Sequence, residues 1–198
     1  MRQTGTLSAE DWDRQLRSGA EVGIEVTPMQ GLTSQPPLQV EQMAYEASEG
    51  RLVRSKVTLT ITDWLTRSEA VSRLTPAITD LVIKVWVGPE ITGYVWLGRF
   101  RITSLRRSRS STWEVEAEDY GRVLADSRLL HPWGVPAGSD VVGAMSFLIM
   151  DGIPDALLVN PFAIEVATAA DQVFEVDRAK ALEDLAASIG CEWYMTEN

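Results

Sequence analysis

The feature that most constrains the fold is a strict alternation of apolar and polar residues between positions 53 and 62. Val53, Val57, Leu59 and Ile61 fall on one side of an extended chain, while basic residues and threonines fall on the other. A period of two with many β-branched residues predicts a strand with one buried face. Connections to the neighbouring apolar stretches are too short for parallel crossovers, so we expect an antiparallel sheet.

Three further stretches have the composition of strands, at residues 22–26, 38–45 and 81–87. The stretch at 38–45 is expected to pair with the strand at 53–62. Pairing Val40 with Val57 would also set Glu41 opposite Lys56, and such opposite-charge pairs stabilise a sheet. Residues 64–79 are predicted to be irregular or weakly helical.

The segment 94–118 is predicted to be a hairpin with a loop centred on residues 107–110. On its first strand, one face comprises Tyr94, Trp96, Phe100 and Ile102, with Gly98 as a gap. On the return strand, apolar residues alternate with three glutamates. The hairpin therefore has one apolar face and one charged face.

Charge selects the register of this hairpin. The favoured register has the pairs Phe100–Ala117, Ile102–Val115, Ser104–Trp113, Arg101–Glu116, Arg99–Glu118 and Thr103–Glu114. A slip of one residue would push charges toward the core. Two arginines are then neutralised across the hairpin, whereas Arg106, Arg107 and Arg109 stay on the loop. These three are the candidate interface residues, facing an acidic neighbouring protein or water.

The chain is predicted to have three parts: an N-terminal helical segment (1–19), an antiparallel β-barrel-like domain (20–132) and a partial α/β unit (133–198). In the last part, Ser139 opens an apolar helix at 140–150. A second helix at 178–189 has Asp177 as N-cap and Gly190 at its end. A strand is expected at 191–195. The fold class is therefore mainly β with an α/β C-terminal part, or α+β.

Composition argues against several classes of function. The formal net charge is -10 and the pI is about 4.6, which disfavours broad binding to nucleic acid. A single cysteine excludes an intrachain disulfide and a multi-cysteine zinc site. No apolar stretch is long enough for a signal peptide or spanning helix. We expect a soluble protein that folds in the cytoplasm.

No catalytic motif stands out. His131 is the only histidine and precedes a proline, so we interpret it as a surface turn residue and Cys191 as a small buried thiol. Glu116 and Glu118 would suit glycoside hydrolysis, but the predicted hairpin neutralises them.

Ligand-binding motifs are also missing. Asp151 and Asp155 lack the spacing of a calcium loop, and no glycine-rich phosphate loop is present. We therefore predict no catalytic residue, no metal and no cofactor.

The order of features resembles a family of bacteriophage tail baseplate or hub proteins, especially those of long-tailed phages that infect actinobacteria. The stretches that carry the resemblance are RSKVTLTITD (54–63), LVIKVWVG with VWLGRFRITSLRRS (81–108), TWEVEAEDYGRVLADSRL (112–129), PWGVPAGSDVVGAMSFLI (132–149) and DRAKALEDLAASIGCEWYMTEN (177–198). They cover most of residues 36–198. Relatives usually continue with more strands and a further β domain after this point.

This resemblance implies a structural virion component without enzymatic activity. It would form a homo-oligomeric ring, a trimer by analogy with hubs, and would be assembled in the host cytoplasm. Its expected partners are the distal tail or tail tube protein, the tape measure protein and tail tip proteins, with no membrane. Two alternatives from other classes are a tail-associated cell-wall or carbohydrate hydrolase and a nucleic-acid-binding accessory protein. The second would need Arg106, Arg107 and Arg109 to grip phosphates.

Overall fold

A computed structural model describes residues 10, 14, 17, 22–48, 53, 55–62, 65–87, 94–109, 112–154, 156, 158–159, 163 and 165–193. The chain divides into two compact units. The first comprises residues 1–47, 55–119 and 196–198, and the second comprises residues 48–54 and 120–195. Of the predicted N-terminal helix, positions 10, 14 and 17 are helical, and the rest lies outside the described residues. The domain limits drawn from the sequence stay a prediction.

In its described residues from position 22 onward, the first unit contains a seven-stranded antiparallel sheet and one short helix. Its elements are β1 (Val22–Gln30), β2 (Thr33–Ser34), β3 (Val40–Ala47), β4 (Ser55–Ile61), α1 (Arg67–Arg73), β5 (Thr79–Val87), β6 (Tyr94–Arg109) and β7 (Thr112–Asp119). The strand order is β2-β1-β5-β6-β7-β4-β3. The prediction of a mainly β, antiparallel architecture with helices is confirmed.

The apolar face of β4 lies in the core as its alternation predicts. Val57, Leu59 and Ile61 are fully buried, and the residues between them are half-buried. They pack with residues of β5, β6 and β7, among them Leu81, Ile83, Phe100, Ile102, Val115 and Ala117. Burial of these aliphatic side chains, at roughly 25 cal/mol per Å² of apolar surface, is the main stabilising contribution in this unit.

The barrel-like character expected from the sequence is not confirmed, because no closed barrel is observed in the described part of the chain. The strands there form an open sheet with β2 and β3 at its two ends. One isolated bridge joins Val26 of β1 to Leu38, just before β3, with a hydrogen bond of 2.8 Å from the Leu38 amide to the Val26 carbonyl. The two ends therefore approach each other at one point without a continuous ladder.

The predicted register between β3 and β4 is wrong. Val40 lies opposite Ile61, and a bulge follows before Gln42. Beyond this bulge Tyr45 pairs with Val57 and Glu46 pairs with Lys56. The opposite-charge partner of Lys56 on β3 is therefore Glu46, because the extra residue of a bulge shifts every later pair.

The predicted apolar face of β6 is wrong in its first part because of a second bulge. Gly98 has a φ of 136°, and the β5–β6 register shifts beside it. Phe100 and Ile102 are buried beyond the bulge, whereas before it Val95 is buried and Trp96 is 37% exposed. The bulge reverses the alternation, so Trp96 does not share a face with Phe100. Glycine suits this position because other residues rarely adopt a positive φ.

The second unit is mainly helical. Its elements are α2 (Gly121–Asp126), β8 (Trp133–Val135), α3 (Val141–Gly152), β9 (Gln172–Phe174) and α4 (Arg178–Ser188), with β8 and β9 paired antiparallel. Its core includes Leu124, Leu148, Leu182 and Leu185, which are fully buried. The described residues after α4, 191–193, carry no strand, and the remainder of the predicted strand lies outside the described residues.

Both predicted helices are present in this unit, with one change of cap. Asp177 accepts a hydrogen bond of 3.0 Å from the Lys180 amide and caps α4 as expected. The cap of α3 is Asp140, whose carboxylate accepts from the amides of Val142 and Gly143. Ser139 is therefore not the N-cap, because the helix begins one residue later than predicted.

Candidate functional site

The arginine-rich hairpin is longer than the sequence predicts. β6 continues to Arg109, which pairs with Thr112 of β7, so only residues 110 and 111 lie between the two strands. Arg106 and Arg107 are exposed strand residues. The prediction that these arginines lie on a loop centred at 107–110 is wrong. Strand positions fix the direction of each side chain, since neighbours in a strand point to opposite faces.

The predicted register of this hairpin is also wrong. Arg101 lies opposite Glu118 and Ile102 opposite Ala117, two residues away from the expected pairing. The apolar faces still match, because a shift of two residues preserves the alternation. A bulge at Thr103 then moves the register by one more residue, so Arg106 pairs with Glu114 and Arg107 with Trp113.

Asp80 is the acidic partner that the sequence analysis missed. Its side chain is only 2% exposed and accepts hydrogen bonds from Arg99 at 2.6 and 2.9 Å, and from Arg101. Arg99 also donates to the Gly31 carbonyl at 3.2 Å, and Arg101 donates to the Ala77 carbonyl at 2.6 Å. An aspartate next to the largely apolar stretch 81–87 was the available signal, since a buried carboxylate requires a charged partner.

Glu116 of β7 has a lysine partner on the neighbouring strand β4. Lys56 Nζ lies 3.3 Å from Glu116 Oε2, and both side chains are partly exposed. Lys56 is opposite Glu118 in the β4–β7 ladder. The prediction that the charged face is ion-paired holds for Glu116, although its partner lies on the other neighbouring strand.

Trp113 is buried at 6% exposure, as its predicted orientation toward the core requires. The guanidinium carbon of Arg107 lies 5.8 Å from the centre of its ring, within the range of a cation–π contact. Beside this pair, Arg67, Val71 and Leu105 complete the lining of a groove with a volume of about 400 Å³. Arg106 and Arg107 are the candidate interface residues whose side chains the structure describes, and of these Arg107 lines the groove.

The helix that contributes to the groove begins with a capping box. The Thr66 hydroxyl accepts from the Glu69 amide, and the Glu69 carboxylate accepts from the Thr66 amide at 2.8 Å and from its hydroxyl at 2.7 Å. The hydroxyl of Thr66, followed by its amide, lowers the pKa of Glu69 from its ordinary value. These bonds stabilise the charged form of the carboxyl.

The residues considered for catalysis are dispersed in the structure. His131 is exposed before β8, and Cys191 is half-buried after α4. Asp151 pairs with Arg178 at 2.6 Å, and Asp155 lies outside the described residues. Among the residues that the structure describes, no three His, Cys, Asp or Glu side chains are grouped to hold a metal ion. No helix in that part of the chain is long and apolar enough to cross a membrane.

Comparison with known proteins finds similarity in structure. No family model and no curated protein matches the sequence. The fold is similar to that of the tail protein from Neisseria meningitidis MC58, with a TM-score of 0.53 and 14% identity over 85% of this chain and 47% of that one. It is also similar to the 43 kDa tail protein of prophage MuSo2 from Shewanella oneidensis, with a TM-score of 0.51 and 13% identity over 83% and 49%.

The chain therefore spans about half the length of each tail protein that it resembles. At this level of identity the likeness shows a shared fold. The phage tail resemblance seen in the sequence is confirmed to that extent.

Proposed function

We propose that this chain is a structural component of a bacteriophage tail or of a related tail-derived injection system. Its place would be the baseplate or hub at the tail tip, where it forms a ring that connects the tail tube to tip proteins. The observation that carries the proposal is the fold shared with two tail proteins over most of this chain. The proposal includes closure of the first unit into a barrel-like form within such a ring.

The proposed partners follow from this role. Copies of the same chain would form a trimer or another ring, with the distal tail or tail tube protein, the tape measure protein and tip proteins as neighbours. Arg106, Arg107 and Arg109 would contribute to a contact with an acidic neighbour. Electrostatic complementarity of this kind fixes the register of two proteins and disfavours wrong partners.

A non-enzymatic role agrees with the surroundings of the carboxylates. Glu116 is bonded to Lys56, and Asp80 is held by Arg99 and Arg101. A glycosidase needs two carboxyl groups that flank the substrate bond and are able to exchange protons with it. Ion-paired carboxylates in a sheet are better suited to holding strands together, so assembly is the mechanism we propose.

Two measurements test this role. Immunogold labelling with an antibody against the chain should decorate the tail tip of the parent particle, and labelling confined to the head would contradict the proposal. Mass photometry of the purified chain should give a ring, with about three times the 21.9 kDa of the monomer if it is a trimer. A strict monomer at all concentrations, absent from purified particles, would overturn the proposal.

A further inference from the structure

Three elements of the first unit converge on the groove defined above. Arg67 and Val71 come from α1, Leu105 and Arg107 from β6, and Trp113 from β7. Residues four apart in a helix share a face, and residues two apart in a strand do the same. Two cationic side chains therefore lie beside an apolar surface made by Val71, Leu105 and Trp113.

The two residues that α1 contributes to the groove, Arg67 and Val71, are not needed for the stability of the helix itself. Val71 is 51% exposed, while the neighbouring Ala70 is fully buried and anchors the helix to the core. Arg67 is exposed in the first turn, where a positive charge is opposed by the helix dipole. The capping contacts there are made by Thr66 and Glu69. An apolar side chain and a guanidinium are thus presented at the groove without benefit to the helix.

We propose that this groove binds an extended acidic segment of another tail protein. The segment carries an aliphatic or aromatic side chain flanked by carboxylates. The inference deepens the proposed function and rests on it, because that role supplies the neighbouring protein. A guanidinium recognises a carboxylate through paired N–H donors. The apolar side chain of the segment packs on Val71 and Leu105.

Charge complementarity favours an acidic segment as the occupant of the groove. The chain carries a formal net charge of -10, so its surface in general repels acidic peptides. The two arginines in the lining of the groove offer cationic partners to such a segment. Like charges elsewhere on the surface exclude acidic segments that do not fit the groove, which gives the contact its specificity.

Single-stranded nucleic acid fits the groove less well. Non-specific binding to a single strand uses exposed aromatic faces on which bases stack, together with a groove that neutralises many phosphates. Trp113 is only 6% exposed, and Arg107 lies over its ring. The groove has two cationic side chains in its lining. An acidic peptide needs no more than these two and an apolar floor.

The test uses the full chain and two acetylated, amidated hexapeptides as probes, DLFDEL and its neutral counterpart NLFNQL. The indole N–H signal of Trp113 is followed by NMR in the ¹⁵N-labelled chain as each peptide is added. DLFDEL should shift this signal saturably and bind at least about tenfold more tightly than NLFNQL. Equal binding of the two peptides, or no shift with either, would overturn the proposal.

Matched variants locate the binding site. R67Q and R107Q should each weaken binding of DLFDEL about threefold to tenfold. R122Q is the control, because Arg122 is an exposed arginine on α2 that pairs with Asp126 and does not line the groove. R67Q alters an exposed helix residue, so it keeps the test valid even if R107Q unfolds the hairpin. R106Q is a second comparison. If it weakened binding of DLFDEL as much as R107Q does, binding would be a general property of the arginine-rich strand, and the proposal that the groove is the site would be overturned.

Two further experiments separate peptide binding in the groove from nucleic-acid binding and from the proposed function. A ten-nucleotide oligothymidylate that binds more tightly than DLFDEL, with loss of binding in R67Q, would replace the peptide with nucleic acid. Tail-tip labelling without any peptide binding would refute the groove alone. Peptide binding by a chain that is absent from particles would refute the proposed function alone.

Discussion

Arg99 donates hydrogen bonds from both Nε and Nη2 to one carboxylate oxygen of Asp80, at 2.9 and 2.6 Å. The other oxygen of Asp80 accepts from Arg101. The carboxylate is 2% exposed, whereas the two arginine side chains are 31% and 23% exposed. A buried negative charge on β5 is therefore held by two arginines of β6 that retain contact with water.

Replacement of Asp80 by asparagine should destabilise the protein by about 2–4 kcal/mol, since both guanidiniums lose their ionic acceptor. This loss of stability is smaller than that expected for a wholly buried ion pair, because the arginines stay partly hydrated. Urea unfolding measures the change. The control is Glu25→Gln, which breaks the half-exposed pair with Lys84 and should cost less than about 1 kcal/mol. A loss in the control as large as that in Asp80→Asn would contradict this account.

Gly23 leaves room for the indole of Trp86 on the opposite strand. A β-carbon at position 23 would lie 2.2 Å from Cε2 of that ring, so Gly23→Ala must displace the side chain. We expect a loss of about 1–3 kcal/mol and a change in tryptophan fluorescence. The matched control is Gly134→Ala in β8, where the nearest atom would be 3.9 Å away and the change should stay within about 0.5 kcal/mol. Similar losses in both variants would rule out the steric explanation.

Arg178 joins the two long helices of the second unit. It donates to the Leu148 carbonyl at 2.9 Å and to Asp151 at 2.6 Å, and its side chain is 5% exposed. Asp151→Ala should destabilise by about 2 kcal/mol, because it leaves a buried cation without its counter-ion. The double variant Asp151→Ala with Arg178→Met should recover part of that loss.

Thermal unfolding of the single and double variants tests this coupling. The exposed pair of Lys180 and Asp184 in the same helix serves as the control. Asp184→Ala should change stability by no more than about 0.5 kcal/mol. A double variant less stable than Asp151→Ala would contradict this account, because Arg178 would then stabilise the unit mainly through contacts other than the ion pair, such as its hydrogen bond to Leu148.

The capping box of α1 makes the stability of the protein depend on pH, and the direction of this dependence follows from the pKa of Glu69. Hydrogen bonds from Thr66 lower the pKa of Glu69, so the folded protein binds this proton less readily than the unfolded chain. The stabilisation is present above the unfolded pKa and is lost as the pH falls through the lowered folded pKa. Thr66→Ala should raise the pKa of Glu69 toward its ordinary value, which a carboxyl NMR titration measures. An unchanged pKa in this variant would contradict the assignment.

Local pattern was sufficient to predict the long strands of the sheet and the cap of one helix. Val57, Leu59 and Ile61 alternate with polar residues and are buried as a set, because a period of two depends only on neighbouring residues. Asp177 is the N-cap of α4 for the same local reason. Arg107 lies on a strand instead of the predicted loop and lines the groove, while the interface role of Arg106, Arg107 and Arg109 stays a prediction.

The sequence by itself thus determined the buried face of β4 and that the sheet is antiparallel. The tertiary structure alone decided the strand registers, since the bulges at Gly98 and Thr103 depend on how three strands meet. It also brought Asp80 to Arg99 and Arg101, and α1 to the end of the hairpin beside Trp113. These contacts join residues distant in sequence, and their energy depends on burial that no local pattern encodes.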